Sequence, residues 1–138
     1  MKVTKFAGCL VAVLGLILSA LPLAAHHSFA AEFDGSKQIT LTGVVTKVDW
    51  VNPHAYIYVD VKGSDGTVVN WAIETGAPNM LYRQGWRKSD LKEGDTVTFT
   101  AFLAKDGTHT AAARQVKLPD GRQVFAGTPN STPSKSSK

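Results

Sequence analysis

Cysteine is almost absent from this 138-residue sequence, since the single one, Cys9, lies close to the N-terminus. The first 25 residues have the features of a cleavable leader, so the mature chain would contain no cysteine. Disulfides, thiolate metal sites and cysteine nucleophiles are then excluded. We therefore expect the fold to be held together by its hydrophobic core alone.

A surplus of positive charge is absent from the body of the chain, although the whole sequence carries a net charge of +4. Of the 15 Lys and Arg residues, two lie in the leader (Lys2 and Lys5) and two near the C-terminus (Lys135 and Lys138). The remaining 11 balance 11 Asp and Glu residues between positions 26 and 127. Because phosphate binding depends on clustered positive charge, this balance argues against nucleic acid as a partner.

Sequence signatures of enzymes are also lacking. The chain has no Gly-x-Ser-x-Gly elbow, no phosphate-binding glycine loop and no His-Glu-x-x-His motif. Asp49, Asp60 and Glu74 are spread over three predicted strands and do not form a carboxylate pair. Glu74 has Arg83 or Arg87 as an alternative partner. We expect binding without catalytic turnover.

The N-terminal residues 1–25 indicate export. Two lysines precede an apolar run over residues 6–20, and small residues end the segment at Ala25, which is typical of a signal peptide. The run is shorter than the roughly 20 residues that span a bilayer, so we expect no membrane span after cleavage. Cleavage after Ala25 would make His26 the new N-terminus and place the protein in the periplasm or outside the cell.

The mature chain divides into three parts. An N-terminal extension over residues 26–38 precedes a domain at residues 39–127, and residues 128–138 form a Ser/Thr/Pro-rich tail. The tail offers no apolar surface to bury, so we expect it to be disordered.

Apolar residues in the domain follow the period of strands. In the first strand, Ile39, Leu41 and Val44 share a face, with a phase slip at Gly43 that predicts a bulge. The second strand alternates cleanly, with apolar residues at 55, 57, 59 and 61. A later strand alternates inward apolar residues with threonines and Phe102, which should face outward.

The order of the predicted elements indicates a fold. Three strands come first, then a short helix that Pro78 can begin and Gly85 can end, then two more strands. This order predicts an all-β protein, a small OB-fold-like five-stranded barrel with one short helix between strands 3 and 4. A small unrelated β-sandwich is the alternative, which would not require that helix.

Several segments of the mature chain resemble one family of exported bacterial proteins. They include the HHSFAAEFD start at residues 26–34 and the segment at 41–54, which ends in WVNPH. NWAIE at 70–74, GAPN at 76–79 and LKEGD at 91–95 also fit. On these motifs the chain is identified as a member of the domain of unknown function 6152 family. The family has no assigned activity, so the resemblance implies no function.

The four histidines suggest a metal site. They are His26, His27, His54 and His109. A free amine on His26, together with its ring, forms a chelate of nitrogen ligands that favours Cu(II). In an OB-fold the loops that contain His54 and His109 lie on the same side of the barrel, so the four residues can converge. The alternative is that all four are solvated or hydrogen-bonded to turns.

A ligand-binding face is the second candidate site. Tyr56 and Tyr58 point away from the core on the second strand, where OB-folds commonly place binding aromatics. The candidate residues are Tyr56, Tyr58, Trp50, Arg83 and Trp86. Alternatively, Phe29 and Phe33 cover the two tyrosines. We expect an exported module that binds an envelope ligand or protein, with metal binding as the alternative function.

Overall fold

The computed structural model describes residues 28–127. The predicted leader, His26 and His27, and the predicted tail at residues 128–138 lie outside the described residues. Between residues 28 and 127, no helix has both the length and the apolar character needed to cross a bilayer.

The described part of the chain is mostly strand. Its elements are α1 (Phe29–Glu32), β1 (Phe33–Asp49), β2 (Tyr56–Lys62), β3 (Val68–Glu74), α2 (Pro78–Arg83), a 3-10 helix (Lys88–Asp90), β4 (Thr96–Ala104), β5 (Thr110–Lys117) and β6 (Gln123–Phe125). The predicted all-β class is confirmed. The helix α2 has Pro78 in its first turn, and Gly85 follows it at φ 94°, as the sequence predicts.

Five of the strands form a closed ring. β1 pairs antiparallel with β2 and with β4, β2 pairs with β3, and β4 pairs with β5. A parallel pairing of β3 with β5 completes the ring, and β6 adds to β5. Three strands, α2 and two further strands therefore follow each other in the predicted order.

The first strand is longer than its apolar alternation indicates. β1 begins at Phe33, within the segment predicted as an N-terminal extension, and Phe33 pairs with Ala104 of β4. Burial explains the difference, because the Phe33 side chain is 4% exposed and lies in an apolar cluster. That cluster is formed by residues distant in sequence, which the alternation does not reveal.

The predicted bulge at Gly43 is wrong. The pairing of β1 with β2 shifts between Val45 and Lys47, two residues later. Gly43 is buried and keeps the phase, so Val45 points inward at 1% exposure and Val44 outward at 43%. A Cβ on Gly43 would lie 2.7 Å from the backbone oxygen of Asp60, so the glycine is needed for close approach of β2.

The interior of the ring is a single apolar core. Its large members are Val45, Ile57, Val59, Ile73, Leu81, Trp86, Val97, Phe99 and Val116. Trp86, which follows α2, is completely buried, and its indole N–H donates to the Phe125 carbonyl at 3.0 Å. This hydrogen bond satisfies the polar atom that comes with so large a side chain.

A second apolar cluster lies on the outer face of the sheet. Phe102 faces outward, as the alternation predicts, yet it is 1% exposed because α1 folds over it. The Phe29 ring stands edge-on to Phe102 with a centroid distance of 5.4 Å and stacks on Phe33 at 5.6 Å. The cluster attaches the N-terminal segment to β4 and β5.

Candidate functional site

An open groove with a volume of about 590 Å³ lies on the outer surface, between α1, β3 and the β4–β5 turn. Its lining residues are Ala31, Glu32, Phe33, Tyr56, Glu74, Ala104, Lys105, Asp106 and Thr110. The apolar side chains continue from the outer cluster around Phe102, and the polar ones come from α1, β2, β3 and the segment from the β4–β5 turn to the start of β5.

Tyr56 and Glu74 form a cross-strand pair at one side of the groove. They are directly opposite in the register of β2 and β3, and the strand alternation that buries Ile57 and Ile73 turns both outward. The Tyr56 hydroxyl donates to Glu74 Oε2 at 2.8 Å. Burial, reinforced by this hydrogen bond and by the nearby charges, raises the pKa of Tyr56 well above its usual value. The hydroxyl therefore stays protonated at neutral pH.

His54 lies beside the same carboxylate. Its Nδ1 is 3.2 Å from the Thr75 carbonyl oxygen and 3.7 Å from Glu74 Oε1. Both neighbours are acceptors, so the hydrogen bond between the ring and the Thr75 carbonyl has Nδ1 as its donor. Glu74 therefore contacts Tyr56 and His54. The alternative prediction, that Glu74 pairs with Arg83 or Arg87, is wrong.

The opposite side of the groove is formed by the attachment of the β4–β5 turn to α1. The backbone N–H of Lys105 donates to the Glu32 carbonyl at 2.8 Å, and its ammonium donates to the Ala30 carbonyl. In the turn, the Asp106 side chain accepts hydrogen bonds from the backbone N–H and the hydroxyl of Thr108. These contacts place Glu32, Lys105 and Asp106 at one rim.

Tyr58 is next to the groove on the same face of β2. Its ring stacks near the Tyr56 ring, with centroids 6.4 Å apart and an interplanar angle of 28°. The Lys47 ammonium lies 5.3 Å from the Tyr58 ring centre. Phe29 and Phe33 are the residues that the alternative interpretation expects to cover both tyrosines. The Phe29 ring contacts the rings of Phe33 and Phe102.

The other three predicted ligand-binding residues are located elsewhere. Trp86 is part of the core at 0% exposure, which corrects the prediction that it lines a ligand face. Trp50 packs against Trp86 and Tyr82, at centroid distances of 6.3 and 5.8 Å. Arg83 is exposed at the end of α2. Burying the Trp86 ring stabilises the fold, because large aromatic side chains supply much of the apolar area that a small core removes from water.

The two described histidines have different neighbours. His54 contacts Thr75 and Glu74, whereas the exposed His109 packs its ring against Trp71 with a centroid distance of 5.2 Å. Within residues 28–127, no group of three or more His, Cys, Asp or Glu side chains is arranged to hold a metal ion. His26 and His27 lie outside the described residues, so the four-histidine Cu(II) site stays a prediction.

Sequence reasoning missed Glu74 as a partner of Tyr56 and the rim residues Glu32, Lys105 and Asp106. The sequence does contain a signal for the pairing of Tyr56 with Glu74. The hairpin at residues 63–67 fixes the register of β2 and β3, which aligns Tyr56 with Glu74. The rim had no comparable signal, because it depends on packing α1 against a turn more than 70 residues later.

Comparison with known proteins identifies the family of this chain. No curated protein sequence matches it. A model described as a family of unknown function matches residues 13–113, which is most of the chain. The chain therefore belongs to the family of unknown function DUF6152.

Proposed function

We propose that the chain is an exported binding module, periplasmic or secreted, that holds an envelope ligand or protein segment in the groove beside Tyr56 without chemical turnover. The observation that carries this proposal is the groove itself, with a volume of about 590 Å³. Ligand pockets typically enclose roughly 300–1,000 Å³. The groove is thus large enough for a small ligand or for one side chain of a partner.

The chemistry of the lining supports binding. Ala31, Phe33 and Ala104 supply apolar surface, while the Tyr56 hydroxyl oxygen and the Glu74 carboxylate supply acceptors that their mutual hydrogen bond holds in place. A mostly apolar wall with a few oriented polar groups is the usual composition of a binding site. The polar pair is held by the strand register, so little ordering is needed when a ligand binds.

The state of the polar groups favours binding over turnover. The raised pKa of Tyr56 keeps its hydroxyl protonated, so at neutral pH it acts as a hydrogen-bond donor and not as a base. Its proton is directed to Glu74, which occupies one carboxylate oxygen.

A ligand screen observed by amide NMR tests the proposal. Fragments and short peptides that bind should shift the resonances of groove residues such as Phe33, Glu74 and Thr110. Ala31→Trp fills the groove from α1 and should abolish these shifts. Ala30→Trp is the matched control, because Ala30 is also exposed on α1 but is not among the residues that line the groove. Binding that survives Ala31→Trp, or a screen without groove shifts, would exclude the proposal.

Metal binding by histidine is a second candidate, supported by the orientation of His54. Metal-ligating histidines usually donate their other ring N–H to a carbonyl or carboxylate, and Nδ1 of His54 lies 3.2 Å from the Thr75 carbonyl oxygen. Copper titration of protein that begins at His26 should give tight binding. Binding that is unchanged by His54→Ala and by one extra residue before His26 would exclude this candidate.

A further inference from the structure

Glu74 is a largely buried carboxylate that forms no ion pair with a lysine or arginine in the described part of the chain. Its side chain is 14% exposed, and its close contacts are the Tyr56 hydroxyl at 2.8 Å and the His54 ring nitrogen at 3.7 Å. In the part of the chain that the structure describes, lysine and arginine side chains form ion pairs with other carboxylates, among them Asp34, Asp49, Asp90 and Asp120.

The environment of this carboxylate favours a positive charge. Burying a charge is costly unless a partner compensates for it, and a neutral hydrogen bond compensates only in part. The groove thus combines a cavity with a largely buried carboxylate that no lysine or arginine of the described residues pairs with.

The cation that lines the groove does not supply this balance. The Lys105 ammonium is hydrogen-bonded to the Ala30 carbonyl, on the α1 side of the groove. Asp106 lies next to it on the rim. Ala31 of α1 and Phe33 at the start of β1 also line the groove and form an apolar wall, against which the methylene stem of a long side chain can pack.

We infer that the groove accepts a guanidinium or ammonium group on an aliphatic stem, the side chain of Arg or Lys in a partner peptide, with Glu74 as its acceptor. This inference rests on the proposed function and adds the chemical class of the ligand. The stem packs on the apolar wall, and the charged head donates to the free lone pairs of the Glu74 carboxylate. A free diamine has the same chemistry and is distinguished in the test.

Isothermal titration of the full chain with matched probes tests the inference. The probes are acetyl-Gly-Arg-Gly-amide, the same peptide with neutral citrulline, and putrescine. We expect the arginine peptide to bind at least about tenfold more tightly than the citrulline peptide, because a charge-assisted hydrogen bond is lost in the latter. Its affinity should fall as the salt concentration rises. Tighter binding of putrescine would identify a free amine as the ligand and overturn the peptide assignment.

Two substitutions make the result specific to Glu74. Glu74→Gln keeps the size of the side chain and an acceptor for Tyr56 but removes the charge, so arginine-peptide affinity should fall at least about tenfold. Glu93→Gln removes an exposed charge from a turn outside the groove and should leave the affinity unchanged. Equal loss in both variants would mean that only net charge matters and would overturn the inference.

The failures of the two proposals are distinguishable. Equal binding of the arginine and citrulline peptides, with groove shifts in the NMR screen, overturns the cationic ligand and leaves the binding module intact. A screen without groove shifts for neutral or charged compounds overturns both. Thermal unfolding of Glu74→Gln close to that of the wild type shows that any lost affinity is not caused by misfolding.

Discussion

Replacing Tyr56 by phenylalanine removes one hydroxyl and keeps the ring that borders the groove. The hydroxyl donates to Glu74 at 2.8 Å, and the hydrogen bond is charge-assisted. Such bonds contribute about 1.5–3 kcal/mol when buried. Because the Tyr56 side chain is only partly buried, solvent screens the interaction, and we expect Tyr56→Phe to lower the free energy of unfolding at pH 7 by about 1 kcal/mol.

The same hydrogen bond makes a pH-dependent contribution. The pKa of Tyr56 is raised in the folded state, first by burial and then by Glu74, while the unfolded chain ionises near its usual value of about 10. The folded protein therefore holds the proton more tightly. This stability is fully present below pH about 10 and is lost as the pH rises above that value, by at most about 1.4 kcal/mol per pH unit.

Urea denaturation at several pH values from 7 to 11 measures this effect. The stability advantage of the wild type over Tyr56→Phe should be about 1 kcal/mol up to pH about 10 and should shrink at higher pH. Tyr58→Phe is the matched control, since Tyr58 is on the same strand face but is not the donor to Glu74. A gap between wild type and Tyr56→Phe that stays constant to pH 11 would refute the reasoning.

Three further substitutions test the fold by chemical denaturation. Gly43→Ala places a Cβ 2.7 Å from the Asp60 backbone oxygen, so β1 and β2 must separate, and we expect a loss of about 1–3 kcal/mol; an unchanged midpoint would contradict the close approach. Trp86→Ala empties the core and leaves the Phe125 carbonyl without its donor, for a loss of about 3–5 kcal/mol. Phe102→Ala should cost a similar amount although it faces outward, and a loss below about 1 kcal/mol would show that α1 does not bury it.

The parts of the fold that were predicted correctly depend on neighbours in sequence. Ala55, Ile57 and Val59 alternate with polar residues, and the structure buries all three. Pro78 begins α2, and Gly85 follows its end with a positive φ. Each signal is local, because the strand period and the backbone preferences of proline and glycine act within a few residues.

The errors arose where distant segments meet. Gly43 was interpreted as a phase slip, but it is the point at which β1 approaches the Asp60 backbone. Trp86 was interpreted as a ligand contact, but it fills the core beneath Phe125. A glycine or tryptophan in a sequence indicates a special position without indicating which distant atoms occupy the space around it.

The candidate site also combines features that depend on local sequence with features that depend on contacts between distant segments. The sequence by itself determined that Tyr56 is outward-facing and aromatic, since alternation along one strand is enough for that. Only the tertiary structure decided that Glu74 accepts its hydroxyl and that α1 and the β4–β5 turn form the opposite side of the groove. The physical reason is that hydrogen bonds and burial depend on which strands pair and which segments fold over them, and these contacts join residues far apart in the chain.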